Sequence, residues 1–201
     1  MHSNELSRRT LLGAVAALAV APQLARAATT DQAVSFVNQI VGELMQIVRS
    51  SQSQSAALRQ FEQMFDRYGD VPVIARSVLG QPWNSMSGGQ QSAFVTAFRG
   101  YVANKYGSQF REFQDAQVQV TGAKDFGERG LVVSSRVSYA GSSPVAVDWQ
   151  VSDRSGSLKM FNVLIEGVSM LTTERSEIRA LLAQNGNNVD ALIADLQRRG
   201  A

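Results

Sequence analysis

The chain has 201 residues, of which 44% are hydrophobic and 18% are charged, and it contains no cysteine. This length and composition fit one domain of ordinary size with its own hydrophobic core. The absence of cysteine excludes disulfides and thiolate metal sites, and the formal net charge is +2 at pH 7.

Residues 1–27 have the pattern of a cleavable export signal. A basic segment with two adjacent arginines, Arg8 and Arg9, precedes an apolar stretch, and Ala25-Arg26-Ala27 fits a cleavage site. About eleven apolar residues are too few to span a bilayer, which needs ~20. We therefore predict cleavage after Ala27 and a mature domain of residues 28–201. The paired arginines fit a twin-arginine signal; a Sec signal and a buried N-terminal helix are the alternatives.

Loss of this segment changes the charge and the available chemistry. The 19 basic and 17 acidic residues fall to 16 of each in the mature chain, because the segment holds Arg8, Arg9 and Arg26 against Glu5. The single histidine, His2, is lost as well. Without His or Cys there is no Ser-His triad, cysteine nucleophile or usual zinc site. We expect no nucleic-acid binding, no metal, no cofactor and no enzymatic activity.

Apolar residues recur with helical periodicity in the first half of the mature chain. Gly69 fits a helix stop, Asp70 and Ser87 fit helix caps, and Gln90 completes a capping box with Ser87. The predicted helices cover residues 31–49, 56–68, 70–79 and 90–113. The aromatic stripe along the last of these is typical of a core-facing helix surface.

From residue 117 the periodicity changes to two, which indicates strands. Alternating apolar residues predict four strands that begin near Val118, Leu131, Val145 and Lys159, joined by turn-rich segments of hairpin length. Such a pattern is typical of an antiparallel meander with one apolar face.

The last predicted strand, 159–165, carries apolar residues on both faces and is expected to be central. It ends in a turn at Gly167, whose lack of a side chain permits unusual backbone angles. Thr173 and Asn188 are the predicted caps of two final helices. Helices, then a sheet, then helices predict an α+β domain, with an antiparallel four-stranded sheet packed by N-terminal and C-terminal helices.

A set of short motifs follows in a particular order behind the export signal: Phe65-Asp66-Arg67-Tyr68, Val78-Leu79-Gly80 with Trp83, Phe94 and Phe98, Tyr106, and Glu166-Gly167-Val168-Ser169-Met170. In this order they resemble the MlaC family, also called the toluene-tolerance (Ttg) family of periplasmic lipid-binding proteins. The resemblance runs over roughly residues 35–197. One departure is Asn162, where the family often has Asp.

The resemblance implies a soluble periplasmic carrier. Such a protein moves phospholipid between an outer-membrane lipoprotein complex and the lipid-binding subunit of an inner-membrane ABC transporter, and so maintains outer-membrane lipid asymmetry. The acyl chains would lie in an apolar cavity between a curved sheet and the helices, with the headgroup at the mouth. Apolar walls are needed because taking acyl chains out of a bilayer otherwise costs ~0.8 kcal/mol per CH₂.

The candidate lipid-binding residues are the apolar side chains expected on the facing surfaces of the helices and the sheet. They are Ile74, Val78, Leu79, Trp83, Phe98, Tyr101, Val102, Val133, Val137, Val147, Trp149, Phe161, Val163, Ile165, Val168 and Met170.

Other functions fit parts of the pattern. A small acid–base enzyme would need a carboxylate such as Asp148 or Glu166 turned inward near Tyr101 or Tyr139. An interaction domain would have a filled core, and a hopanoid-like lipid would suit the same apolar walls as a phospholipid. Ser169 lacks the second glycine of a nucleophile elbow and is interpreted as a turn hydroxyl.

Overall fold

The computed structural model describes residues 28–50, 53–139, 141 and 143–201, so the predicted signal at 1–27 lies outside the described residues. In the described part, the α-helices are α1 (Thr30–Ser50), α2 (Gln54–Tyr68), α3 (Val71–Leu79), α4 (Gly88–Gly107), α5 (Met170–Gln184) and α6 (Val189–Arg199). The strands are β1 (Gln117–Asp125), β2 (Leu131–Ser138), β3 (Val145–Ser152), β4 (Lys159–Ile165) and β5 (Val168–Ser169). Short 3-10 helices cover Gln81–Ser85, Phe110–Phe113 and Gly127–Arg129.

The strands form one antiparallel sheet in sequence order, from β1 to β5. Val137 lies opposite both Val118 and Val145, and Trp149 lies opposite both Val133 and Val163. Directly opposed side chains project from the same face of a sheet, so these apolar residues form one inner face. The predicted α+β class is confirmed, but the described sheet has five strands rather than four.

The fifth strand follows a two-residue turn. Glu166 and Gly167 have φ angles of 49° and 77°, and positive φ at both central residues is characteristic of a type I′ hairpin. The chain therefore reverses and pairs Val168 with Ile165. The predicted turn at Gly167 is present, but it continues the sheet instead of leading directly into a helix.

Helix starts follow local capping signals in most cases. Ser87 and Gln90 form the predicted capping box at α4, and Asn188 caps α6 as predicted. The prediction for α5 is wrong, because Ser169 rather than Thr173 supplies the capping oxygen. The hydroxyl of Ser169 therefore has a structural role at this turn.

Two predictions at the other helices also need correction. Asp70 precedes α3 without a side-chain capping bond, and its carboxylate accepts a hydrogen bond from the hydroxyl of Ser155. The helix predicted over residues 90–113 ends at Gly107, where a Cβ would lie 2.5 Å from Cδ2 of Leu58. The side chain of Leu58 on α2 packs closely against this position, and a separate 3-10 helix follows.

The hydrophobic core has two main parts. One lies among α3, α4, α5 and α6 and includes the fully buried Phe94 and Phe98. The other lies between the first half of α1 and the inner face of the sheet, where Val37 packs with Val133 and Val151. No helix in the described ranges is both long enough and apolar enough to cross a membrane.

Candidate functional site

A cavity of about 590 Å³ lies between the two parts of the core. The inner face of the sheet forms one wall, and side chains from α1, α2, α3, α4, the 3-10 helix Phe110–Phe113 and the start of α5 form the other. The lining is mostly aliphatic and aromatic, with polar side chains such as Gln109, Asn162 and Glu174 as exceptions. Ligand pockets have volumes of roughly 300–1,000 Å³ and mostly apolar walls, so this cavity can hold an apolar ligand.

Ten of the sixteen residues predicted from the sequence line this cavity. Those from the helices are Ile74 on α3, Phe98 and Val102 on α4, and Met170 at the start of α5. Those from the sheet are Val137, Val147, Trp149, Phe161, Val163 and Ile165. On β4, Val163 and Ile165 face the cavity, and Met160 and Asn162, which alternate with them in the sequence, also line it.

Four candidates on the helical side lie elsewhere. Val78 and Leu79 are at most 1% exposed and belong to the core between α3 and its neighbouring helices. Trp83 packs edge-on against Phe94 with a centroid distance of 6.4 Å. Tyr101 projects toward α5, where its hydroxyl bonds a glutamate. Each of these side chains fills a contact between helices instead of the cavity wall.

Two candidates on the sheet also lie away from the cavity. Val133 is on the inner face but is fully buried in the core beneath α1. Val168 is 60% exposed on the short strand β5. The inner face is therefore divided along its strands: α1 covers one end, and the cavity lies over the other.

Much of the helical wall was not predicted from the sequence. The second half of α1, one side of α2 and the 3-10 helix after α4 all contribute. Their lining residues are Ile40, Val41, Leu44, Met45, Val48, Phe61, Met64, Phe65, Phe110 and Phe113. Helical periodicity marks these residues as apolar and inward-facing, but it does not distinguish a cavity wall from a filled core.

A buried serine holds the tryptophan of the cavity wall. Trp149 donates its indole N–H to Oγ of Ser135 at 2.9 Å, and Ser135 donates its hydroxyl to the carbonyl of Val147 at 3.0 Å. Ser135 is 4% exposed. The one small polar residue in the alternating pattern of β2 therefore satisfies the indole N–H of Trp149.

Asn162 connects β4 to the start of α5. Its side-chain amide donates to Gln150 Oε1 and to Ser169 Oγ, each at 3.0 Å, and its oxygen accepts from the backbone N–H of Leu171 at 3.0 Å. A carboxylate cannot donate the bond to Gln150. The departure from Asp at this position thus suits the amide neighbour on β3.

Polar residues of α4 and α5 form a cluster beside the cavity, which we call the Lys105 cluster: Tyr101, Lys105, Tyr106, Glu174 and Glu177. Glu174 is 4% exposed, and its Oε1 accepts bonds from Lys105 Nζ at 2.7 Å and from the hydroxyl of Tyr106. Glu177 accepts from Lys105 and from Tyr101, each at 2.5 Å. Tyr106 and Glu174 both line the cavity.

Burial and hydrogen bonding shift the pKa values of four groups in the Lys105 cluster. Burial and hydrogen bonds to glutamate raise the pKa of Tyr101 and of Tyr106 well above the ordinary tyrosine value. Burial opposes the charge on Lys105, but the hydrogen bonds to Glu174 and Glu177 and the charges of these residues outweigh it, so the pKa of Lys105 is raised. Burial also opposes the charge on Glu177, but the hydrogen bonds from Lys105 and Tyr101 and the charge of Lys105 outweigh it, so the pKa of Glu177 is lowered. The cluster has an excess negative charge, with two carboxylates for one ammonium.

The carboxylate–tyrosine pairs named for an acid–base enzyme do not form. Glu166 is exposed, and its carboxylate accepts from the backbone N–H of Ala146. Asp148 accepts a bond from the hydroxyl of Ser134 at 2.6 Å and does not line the cavity. Nowhere in the described ranges do three His, Cys, Asp or Glu residues group to hold a metal ion.

The fold and the cavity together define a class: α+β domains in which an antiparallel sheet and helices enclose an apolar cavity of ligand size. A family model described as MlaC protein matches residues 38–198. The chain therefore belongs to the MlaC family, which confirms the resemblance seen in its motifs.

Two known proteins are similar to the chain. The intermembrane phospholipid transport system binding protein MlaC of Haemophilus influenzae is 24% identical over 136 residues, which cover 65% of this chain and 62% of the relative. The chain thus matches less than two thirds of that relative's length. A phospholipid-binding protein from Ralstonia solanacearum, solved in complex with a phospholipid, has a TM-score of 0.69 at 19% identity. The likeness covers 83% of this chain and 95% of that one and shows that they share a fold.

Proposed function

We propose that this protein is a phospholipid carrier that holds acyl chains in the cavity between the sheet and the helices. The observation that carries the proposal is an apolar cavity of about 590 Å³ that the chain does not fill with its own side chains. A domain that needed only stability would close this space, because protein interiors are normally packed as densely as organic crystals. Membership of the MlaC family and the phospholipid named for both similar proteins support the same function.

The ten predicted residues on the cavity wall are proposed to contact the acyl chains, together with the apolar residues of α1 and α2. The headgroup is proposed to lie at the mouth, where lining residues reach solvent: Ile165 is 41% exposed and Gln109 is exposed. Each CH₂ that leaves the bilayer loses ~0.8 kcal/mol unless apolar walls replace the lipid. The aliphatic and aromatic lining provides this replacement.

The cellular role is also a proposal. The chain would work in the periplasm between an outer-membrane lipoprotein complex and the lipid-binding subunit of an inner-membrane ABC transporter, and would help to maintain outer-membrane lipid asymmetry. The family and the name of the Haemophilus influenzae relative support this role. Export would be accompanied by cleavage of the signal after Ala27, the predicted site. N-terminal sequencing of the exported protein should begin at Ala28, and any other first residue contradicts the predicted site.

Native mass spectrometry of the protein purified from cells tests the carrier function directly. We expect a bound mass of one lipid with one or two acyl chains, which a lipid extract then identifies. A protein that is empty after purification and stays empty after incubation with liposomes contradicts the proposal. A hopanoid in the extract would retain the carrier function but change the class of lipid.

The cavity itself is tested by filling it with a larger side chain. Val147 and Val137 line the inner wall on neighbouring strands, so Val147→Trp and Val137→Trp should each lower the lipid-loaded fraction about tenfold or more. The reason is steric, since the indole occupies space that the acyl chains require. Native mass spectrometry after incubation with liposomes measures the loaded fraction.

Val168→Trp is the matched control, because it makes the same substitution on the same sheet at a site 60% exposed and outside the cavity. It should load lipid as the parent protein does. Equal loading of the Val147, Val137 and Val168 variants would mean that acyl chains do not bind against this face.

A further inference from the structure

One oxygen of the buried carboxylate beside the cavity has no hydrogen-bond donor. Lys105 and Tyr106 both donate to Oε1 of Glu174, and Oε2 is enclosed without a partner among the described residues. Glu174 is 4% exposed and lines the cavity. Burying a polar oxygen without a hydrogen-bond partner is unfavourable, so a donor from a bound ligand would satisfy this atom.

The surroundings of Glu174 select the kind of group that could use this oxygen. Lys105 is shared between Glu174 and Glu177, so the Lys105 cluster has an excess negative charge. Tyr106 is a neutral donor whose hydroxyl is already committed to Oε1. An anionic group would be repelled here, whereas an N–H or O–H group, above all an ammonium, would be attracted.

We propose that Glu174 is a specificity-determining residue that accepts, through Oε2, a hydrogen bond from an N–H or O–H donor of the bound lipid. This inference rests on the proposed carrier function and deepens it. Because Oε2 is enclosed, the carboxyl group turns toward the cavity to meet the donor. The last torsion of a glutamate side chain is soft, so this turn needs no change in the helices, but it also moves Oε1 away from its donors Lys105 and Tyr106.

Two sources of such a donor suit an apolar cavity. One is a phospholipid headgroup that ends in a primary ammonium, such as phosphatidylethanolamine, whose ammonium would reach inward from the mouth to the buried Glu174. The other is the hydroxyl of a polycyclic lipid such as a hopanoid alcohol. Each has a matched counterpart without the donor: phosphatidylcholine, whose quaternary ammonium has no N–H, and the corresponding hopanoid hydrocarbon.

The test measures lipid taken up from vesicles in two competitions. In the first, vesicles contain equal amounts of phosphatidylethanolamine and phosphatidylcholine with identical acyl chains. In the second, phosphatidylcholine vesicles contain equal small amounts of the hopanoid alcohol and the hydrocarbon. Mass spectrometry of the reisolated protein gives the ratio of the two lipids bound.

The parent protein should prefer the donor-bearing lipid about tenfold in one of the two competitions, which corresponds to about 1.4 kcal/mol. That competition identifies the source of the donor. Glu174→Gln should reduce the preference to about threefold or less, because its amide oxygen accepts from Lys105 and Tyr106 and its NH₂ group, which cannot accept a hydrogen bond, takes the place of Oε2. No preference in either competition, or the same preference in Glu174→Gln, overturns the inference.

Two further variants distinguish recognition of the lipid by Glu174 from a purely structural role of the Lys105 cluster. Glu177→Gln alters the other carboxylate on Lys105, which does not line the cavity, and should keep the preference. Tyr106→Phe removes a donor to Glu174 but keeps the carboxylate, so it should keep or strengthen the preference. Loss of the preference in either variant overturns the assignment to Glu174.

The two proposals fail in different ways. Uptake of both lipids without discrimination overturns the role of Glu174 and leaves the carrier function standing. Uptake of no lipid from any vesicle overturns the carrier function and this inference with it. If Glu174→Gln does not fold, Tyr106→Phe still tests the inference, because a preference that disappears with Glu174 intact contradicts it.

Discussion

At the scale of single residues, the contact between Ser135 and Trp149 stabilises the cavity wall. Ser135→Ala leaves the indole N–H of the 7%-exposed Trp149 without an acceptor. A buried polar group that loses its partner costs about 1–3 kcal/mol. We therefore expect a decrease of that size in the free energy of unfolding, measured by urea denaturation.

Ser134→Ala provides the control for this prediction. Ser134 lies next to Ser135 on the opposite face of β2, and its hydroxyl donates to the half-buried Asp148. Removing the hydroxyl of Ser134 leaves Asp148 as an acceptor that water can reach. The free energy of unfolding should therefore decrease clearly less in Ser134→Ala than in Ser135→Ala. Equal losses in the two variants would show that the indole contact is not the source of the stability.

Residue patterns predicted the inner face of the sheet but not which part of it borders the cavity. Val133 and Val137 are equivalent in the alternating pattern of β2, since both are apolar and both point inward. Only their position relative to α1 separates them, because Val37 and its neighbours cover Val133. That position is a tertiary property, and no local pattern in the sequence records it.

At the scale of elements, the Lys105 cluster joins α4 to α5 on one side of the cavity. Glu177 has a lowered pKa, because its bonds from Lys105 and Tyr101 outweigh the effect of burial. A carboxyl with a lowered pKa in the folded state stabilises the fold above its ordinary value of 4.5. This stabilisation is lost as the pH falls below that value toward the folded-state pKa.

Glu177→Gln should therefore reduce the acid sensitivity of the protein. The free energy of unfolding of the parent should fall between about pH 5 and pH 3, and part of this fall should be absent in the variant, because the amide does not titrate. Urea midpoints across this range measure both. If the free energies of unfolding of the two proteins changed with pH in parallel, the bond between Glu177 and Lys105 would not contribute to stability.

Element boundaries differed from prediction at α4 and at β5. The apolar pattern is continuous over residues 90–113, but α4 ends at Gly107 and a separate 3-10 helix follows. The strand β5 has only two residues, too few for any periodicity. Capping boxes are the opposite case: Ser87 and Gln90 lie three residues apart and interact locally, so the sequence alone predicted them.

At the scale of the whole molecule, the cavity results from how two cores are held apart. The helical core and the core between α1 and the sheet each contain well-buried residues. The second half of α1, α2 and the 3-10 helix Phe110–Phe113 join them around the cavity instead of filling it. The empty interior lowers the stability of the unloaded protein, because lining atoms lose dispersion contacts.

Loading should therefore stabilise the protein against heat. A ligand that binds only the folded state adds RT ln(1 + [L]/Kd), which is about 2.7 kcal/mol at a hundredfold excess over Kd. For a domain of this size that is an increase in Tm of roughly 5–10 °C. Thermal unfolding of delipidated and reloaded protein measures it, and the increase should be absent in Val147→Trp, whose added indole occupies the cavity. An identical Tm before and after reloading would mean that lipid binds outside this cavity or not at all, since acyl chains inside it cannot leave the folding equilibrium unchanged.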